Sequence, residues 1–451
     1  MGVLAICGVP HAAKLLYYGL HNLQHRGQEG GGIASFDEDG EFYRHRGLGL
    51  LSEVFVDGEV DRLKGNMAIG SVKYANASKG GLDNVCPLFF RHHAGDFAVA
   101  GDGNLVNSPQ IVAFLEKRGT IFQTDTDAEL LAHLIKKSGN EDRIHNIVKA
   151  LNMMEGGFTF VVMTRNRIYA ARDKYGIKPL CIGRLEDGYV VSSESCAFDI
   201  IGARFIRDVR PGEVVSLDGH GIRSTLYSRF FRHRMCAMEY IYFARPDSDI
   251  DGRNVHEYRE DAGRRLYREC PADADLVVGV PESSLSAAMG YSAESGIPYE
   301  MGLVKHKYVG RTFIEPLQSM REHGVKMKLS PVHSVVEGKR IVLVDDSIVR
   351  GTTSLKIVKM LRDAGATEVH VRIASPMMRF TCHYGVDTST PEELLCSHRT
   401  LEEACRAIGA DSLGYLSPAS TRDAASGCAD PCQACFTGEY PTMLYEEETE
   451  E

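Results

Sequence analysis

Residues 339–354, Lys-Arg-Ile-Val-Leu-Val-Asp-Asp-Ser-Ile-Val-Arg-Gly-Thr-Thr-Ser, constrain the fold of this chain more than any other stretch. The apolar run 341–344 is rich in β-branched residues and predicts a buried parallel strand. Asp345 and Asp346 end it, and Ser347, Gly351, Thr352, Thr353 and Ser354 form a hydroxyl-rich turn into a helix. Leu355, Val358 and Leu361 mark one face of that helix, and Gly365 stands where a C-cap glycine belongs. Residues 367–373 read as the next strand, completing a βαβ unit. Ligands of open α/β sheets bind beyond the carboxyl ends of strands. Hydroxyls and backbone N–H groups at a helix N-terminus suit a phosphate, and paired carboxylates suit sugar hydroxyls or Mg²⁺.

This stretch resembles the phosphoribosyl pyrophosphate (PRPP) signature of type I phosphoribosyltransferases. With Arg350, its residues from Asp345 to Ser354 named above are the candidate substrate-binding set. Residues 274–280 predict a second buried strand, ending at Pro281-Glu282-Ser283-Ser284. The resemblance assigns Mg²⁺ to Ser283, Asp345 and Asp346. Residues 305–328 carry Lys305, Lys307, Arg311, Arg321, Lys326 and Lys328. The resemblance makes this basic stretch a loop that closes over PRPP, with Arg311, Lys326 and Lys328 as further substrate contacts. Cations and metal would neutralise the departing pyrophosphate, while a closed lid keeps water from an oxocarbenium-like centre.

At 451 residues the chain has room for two or more domains with ample core. A formal net charge of −10 argues against nucleic acid as the main partner. No basic segment followed by a long apolar run opens the sequence, so no signal peptide is expected. No uncharged apolar run is long enough to predict a membrane span. Twelve cysteines without an export signal point to a reducing cytoplasm, where metal or cluster ligation is favoured over disulfides.

The first half predicts mixed sheets with helices on both outer faces. Strand-like segments fall at 2–9, 67–73, 96–100, 158–163 and 189–193, and helices at 12–24 and 126–138. Tyr17-Tyr18-Gly19-Leu20, Gln24-His25-Arg26-Gly27-Gln28-Glu29-Gly30, Gly103-Asn104-Leu105-Val106-Asn107 and Ser193-Glu194-Ser195-Cys196-Ala197-Phe198-Asp199 resemble the glutaminase domain of amidophosphoribosyltransferases. The resemblance runs nearly end to end. It implies an N-terminal αββα four-layer Ntn-hydrolase-type domain over 1–230 and a type I phosphoribosyltransferase parallel-sheet domain over 231–451. The boundary falls in the basic stretch with Arg229, Arg232, His233 and Arg234. The implied reaction is formation of phosphoribosylamine, the first committed step of purine synthesis. The family also implies a homotetramer and inhibition by purine nucleotides.

The family needs a cysteine as mature residue one, whose thiolate attacks the glutamine amide with its own α-amino group as base. Here Met1 aligns with that position, and a thioether has no proton to lose. The arginine expected to clamp glutamine's α-carboxylate is Lys73, which lacks the bidentate fork. The asparagine expected in the oxyanion hole is Asp102, and losing one such donor costs about 10²–10³ in rate. Arg26, Tyr74, Gly103 and Asp127 remain as remnants of the glutamine pocket. The expectation is that glutamine hydrolysis is lost and that ammonia arrives free or from a partner glutaminase. Three alternatives stay open: processing that exposes Cys7-Gly8-Val9 as a new terminus, a PRPP- or nucleotide-sensing regulator, and a different amine acceptor. Without processing, Cys7 reads as a buried small apolar residue.

Cys432-Gln-Ala-Cys435 is a Cys-x-x-Cys pair. With Cys236 and Cys382 it matches the four ligands of a [4Fe–4S] cluster in one branch of the family. Four thiolates equally suit structural zinc. In either case the expected role is to staple the C-terminal extension to the transferase core. Cys428 stands outside the pattern, and Cys86, Cys181, Cys196, Cys270, Cys396 and Cys405 read as core or incidental. The sequence holds no Gly-x-x-x-x-Gly-Lys-Ser/Thr and no His-Glu-x-x-His.

Overall fold

The computed structural model describes residues 1–74, 80–93, 95–138, 142–228, 232–306, 329–386, 388, 390–426 and 430–445. Two antiparallel sheets form the N-terminal part. The seven-stranded sheet runs Arg204–Asp208, Cys181–Arg184, Tyr189–Ser192, Gly2–Cys7, Met67–Lys73, Gly30–Phe36, Phe42–Leu48. The six-stranded sheet runs Gly221–Leu226, Glu213–Asp218, Arg167–Arg172, Gly156–Thr164, Phe97–Leu105, Leu88–Phe90.

Gly2–Cys7 is the middle strand of the first sheet and is buried on both faces. Its side chains alternate in the two-residue period of a strand. Val3, Ala5 and Cys7 share a core with Phe97, Val99 and Phe160 of the second sheet. Leu4 and Ile6 pack with Leu16 and Leu20 of helix Ala12–Asn22. Helices Asp127–Lys137 and Arg143–Leu151 add Leu131, Leu134 and Ile147 to the core of the second sheet. The result is the αββα sandwich expected from the sequence.

Two elements depart from the expected bounds. The helix expected to 24 ends at Asn22 and passes into a 3-10 turn, Gln24–Arg26, which aims Arg26 at the end of the first strand. The strand expected to end at 100 runs on to Leu105. It continues because Gly103 holds a φ of +130°, where a Cβ would fall 2.1 Å from the Gly157 carbonyl oxygen.

The C-terminal part is built on a parallel sheet in the order Leu276–Gly279, Arg340–Asp345, Glu368–Ile373, Ser412–Tyr415. Helices Val255–Glu269 and Leu285–Ser295 cross so closely that a Cβ on Gly263 would lie 1.9 Å from the Ala287 carbonyl oxygen. Helix Thr352–Asp363 follows the signature strand. Its buried face is Ser354, Ile357, Val358 and Leu361, stepping by three and four residues, whereas Leu355 is exposed. The expected face was therefore one residue out of phase at its start. Among the described residues no helix is long and apolar enough to cross a membrane.

Candidate active sites

Asp345 and Asp346 are buried side by side at the carboxyl end of strand Arg340–Asp345. Ser284 Oγ donates to Asp345 Oδ1 at 2.9 Å, as does the Asp346 backbone N–H at 2.9 Å. Ser283 Oγ donates to Asp346 Oδ2, and Ser347 Oγ donates to Asp346 Oδ1 at 2.7 Å. Burial holds both carboxyls above the ordinary range, and the charge of Asp346 adds to the effect on Asp345. The buried Arg259 pulls Asp346 the other way, while donating from Nε to the Tyr240 carbonyl at 2.8 Å and from Nη2 to the Ala244 carbonyl at 2.7 Å.

Gly351 opens the following helix in the left-handed region, with φ +78°, and no side chain caps that end. Thr352 and Thr353 are exposed beside it, and Ser354 is buried. Arg350 turns outward, and its Nε donates to Glu393 Oε2 at 3.0 Å. Lys305 Nζ lies 3.3 Å from Glu282 Oε2. The expected loop cations Lys307, Arg311, Arg321, Lys326 and Lys328 lie outside the described residues.

A second site is a cavity of about 60 Å³ at the N-terminal end of strand Gly2–Cys7. Met1, Lys73, Tyr74, Asp102, Gly103 and Asp127 all line it, although their positions are scattered through the sequence. Lys73 Nζ donates to the Asn84 carbonyl at 3.0 Å. Asp127 accepts from the Leu105 N–H at 3.0 Å and from Ser108 Oγ at 2.9 Å. The Met1 amino nitrogen lies 3.4 Å from Asp102 Oδ1. Burial opposes the charge of Asp102, but Lys178, the Met1 amino group and Arg26 outweigh it and hold the carboxyl below its ordinary range. Among the described residues Asp102 Oδ2 has no hydrogen-bond partner, and it is buried.

Arg26 does not line this cavity but packs behind Met1. Its Nε donates to the Met1 carbonyl at 3.1 Å, its Nη1 to Glu194 at 2.5 Å, and its Nη2 to Glu239 at 2.7 and 2.8 Å. Lys178 Nζ stands 3.9 Å from both Asp102 and Glu239. This buried ion network joins the cavity to the turn Glu239–Phe243, whose carbonyls hold Arg259.

Cys236 and Cys432 pair as an isolated parallel bridge, with the Ala237 N–H donating to the Cys432 carbonyl at 3.1 Å. The Cys435 carbonyl accepts from the backbone N–H groups of Arg379 and Phe380, close to Cys382 in sequence. Burial pushes the Cys435 thiol up, and Cys382, Cys236 and Cys432 each add to it. The four sulfurs therefore share one electrostatic neighbourhood, and among the described residues none is in a disulfide. Among the described residues no three His, Cys, Asp or Glu side chains stand preassembled around one metal position.

A glutamine amidotransferase domain model matches residues 85–199, and a phosphoribosyl transferase domain model matches residues 255–379. The chain is 51% identical to an amidophosphoribosyltransferase of Bacillus subtilis, over 99% of this chain and 95% of that one. The chain belongs to the amidophosphoribosyltransferase family. A Staphylococcus aureus amidophosphoribosyltransferase is 47% identical over 99% of this chain and 92% of its own. The solved B. subtilis glutamine PRPP amidotransferase complexed with ADP and GMP superimposes with a TM-score of 0.94 at 51% identity, covering 99% of this chain and 98% of that one.

Each half of an amidophosphoribosyltransferase thus has its candidate site here. Several participants escaped sequence reasoning. Ser284 was legible only as a hydroxyl beside Ser283. Arg259, Lys178 and Glu239 are single charges without a diagnostic spacing, and Glu194 stood in a motif without a role; only the fold brings them to these sites.

Proposed function

We propose that the chain forms 5-phosphoribosylamine from PRPP with ammonia rather than with glutamine, in the cytoplasm. The observation that carries this is Asp102. A carboxylate with an unpartnered oxygen lines the cavity where an oxyanion would develop, beside a methionine that offers no nucleophile. Such a wall repels the intermediate it should stabilise. The transferase half keeps its parts. Asp345 and Asp346 would meet the ribose hydroxyls, and the uncapped N–H groups at residues 352–354 would receive the 5-phosphate. Ammonia attacks C1 as the bond to pyrophosphate breaks, with inversion, and the nitrogen sheds a proton to give the amine.

Hard oxygen donors from Ser283, Asp345 and Asp346 suit Mg²⁺, which when bound neutralises pyrophosphate charge. Arg311, Lys326 and Lys328 are proposed to add cations to the same task. Cys236, Cys382, Cys432 and Cys435 suit a [4Fe–4S] cluster in a stapling role, since four sulfurs of one neighbourhood, three of them on buried residues, form an all-thiol donor set. We place the glutaminase-like domain at 1–230 and the transferase domain at 231–451. Inhibition by purine nucleotides is supported by the relative bound to ADP and GMP. A homotetramer, and a partner glutaminase as one ammonia source, complete the proposal.

Strand position speaks against processing to Cys7. That cut removes most of a central strand, and burial pushes the Cys7 thiol up to about 12. The test is PRPP consumption and pyrophosphate release with ammonium and with glutamine separately. Turnover is expected with ammonium alone. Equal turnover with glutamine at low ammonium would overturn the proposal.

A further inference from the structure

Residues 239–249 are held at both ends by side chains of the glutaminase-like half. At the start, Arg26 Nη2 donates to both oxygens of Glu239, at 2.7 and 2.8 Å. At the end, Glu194 Oε2 accepts from the Arg245 backbone N–H at 2.9 Å and from Ser248 Oγ at 2.7 Å. Ser195 Oγ accepts from the Asp249 N–H at 2.8 Å. The two anchors are themselves joined, because Arg26 Nη1 donates to Glu194 Oε1 at 2.5 Å and His25 Nε2 meets the same oxygen at 2.7 Å. Glu194, Glu239 and Ser248 are at most 1% exposed. Away from water such bonds are strong and a lost partner is costly, so the segment has one seat. Between the anchors, the Tyr240 and Ala244 carbonyls accept from the Arg259 guanidinium at 2.8 and 2.7 Å. Arg259 comes from helix Val255–Glu269 and is 3% exposed. Both of those acceptors are neutral, and the carboxylate whose charge acts most strongly on Arg259 is Asp346.

We propose that the glutaminase-like half serves phosphoribosyl transfer as a clamp, in which Arg26 and Glu194 are positioning residues that set Arg259, and through it Asp346, for PRPP. The proposal rests on the placement of PRPP at Asp345 and Asp346. It goes beyond that placement by giving the N-terminal half a task that needs no glutamine hydrolysis. A guanidinium held by two carbonyls moves when they move, and those carbonyls are fixed from the other half. A misplacement of about 1 Å in a substrate site can cost about 10²-fold in rate.

The test is a double-mutant cycle on the full chain with Arg26→Lys and Arg259→Lys. Lysine keeps each charge and loses the fork that grips two acceptors at once. In Arg26→Lys, kcat/KM for PRPP with ammonium is expected to fall about tenfold, as for a lost hydrogen bond to a charged group. In Arg259→Lys it is expected to fall at least as far. The double variant is expected to match Arg259→Lys alone, because Arg26 acts through Arg259. The rise in thermal midpoint given by PRPP with magnesium chloride should shrink in the same order, and that reading needs no ammonia. Should Arg26→Lys fail to fold, Ser248→Ala leaves every charge in place and takes its position in the cycle, with an expected loss of about threefold. Losses that multiply in the double variant would overturn the clamp, as would an Arg26→Lys or Ser248→Ala variant equal to the wild type in both readings. Full PRPP turnover in Asp346→Asn would instead defeat the placement of PRPP at the carboxylates, on which the clamp rests.

Discussion

On the proposed reading three side chains separate the Met1 cavity from a working glutaminase, each for a different reason. The Met1 thioether lacks an ionisable proton, Lys73 lacks a fork and Asp102 carries a charge unlike the expected asparagine. Their defects are coupled, because a nucleophile without an oxyanion hole gains little. Met1→Cys, exposed as residue one by a cleavable leader, is expected to give little glutamine hydrolysis alone. Adding Asp102→Asn should raise glutaminase kcat by about 10²-fold, and adding Lys73→Arg should lower the glutamine KM. Glutamate release reads each step, and a Met1→Cys single variant as active as the triple would contradict the coupling. The transferase half makes the opposite case. Asp346→Asn should cut kcat/KM for PRPP by about 10²-fold or more with ammonium, as loss of a metal and hydroxyl anchor, with the fold retained by circular dichroism. The scattered cavity residues were legible in the sequence because the family resemblance expects a nucleophile, a carboxylate clamp and an oxyanion hole at those positions. The ion network behind them was not. Arg26 was read as a pocket residue, yet its guanidinium is taken by Glu194 and Glu239, the latter from across the proposed domain boundary.

Single elements divide in the same way. Strand Gly2–Cys7 was legible because a short apolar run fits a strand buried on both faces. Its partners were not, since strands Met67–Lys73 and Tyr189–Ser192 come from distant sequence. A chain starting at Cys7 would lose buried Val3, Leu4 and Ile6, each worth about 1.5–3 kcal/mol. Against a domain stability of about 5–15 kcal/mol, that loss and the two lost ladders are expected to abolish cooperative unfolding. Gel filtration and thermal melts of the truncated chain check this, and a folded, glutamine-hydrolysing product would revive the processed form. The C-terminal segment makes a second case. Its Cys-x-x-Cys pair was legible, but Cys236 and Cys382 meet it only through the bridge to Cys432 and the backbone bonds to Cys435. Cys432→Ser should lower bound iron and acid-labile sulfide and reduce the thermal midpoint by several degrees. Zinc in place of iron would keep the staple and change the metal.

At the scale of the whole molecule, a seam of buried charge ties strand Arg204–Asp208 to the hairpin Asp249–Ile250 and Arg253–Asn254. Asp251 accepts both Nη atoms of Arg172 at 2.8 Å and meets His233 Nε2 at 2.7 Å. Asp208 lies against this pair and, among the described residues, has no ion-pair partner of its own. Burial raises its carboxyl to about 7, the charge of Asp251 adds to the rise, and Arg172 only partly offsets it. In the unfolded chain the same group titrates near 3.8. Between those values the folded state binds more protons than the unfolded state. Stability from this group is therefore fully present below about pH 4 and is lost as pH rises towards 7. Asp208→Asn keeps the shape and removes the charge. Its thermal midpoint should match the wild type near pH 4 and exceed it by a few degrees at pH 8, equivalent to about 1–3 kcal/mol. Midpoints that run parallel from pH 5 to 8 would show that Asp208 keeps its charge in the folded seam.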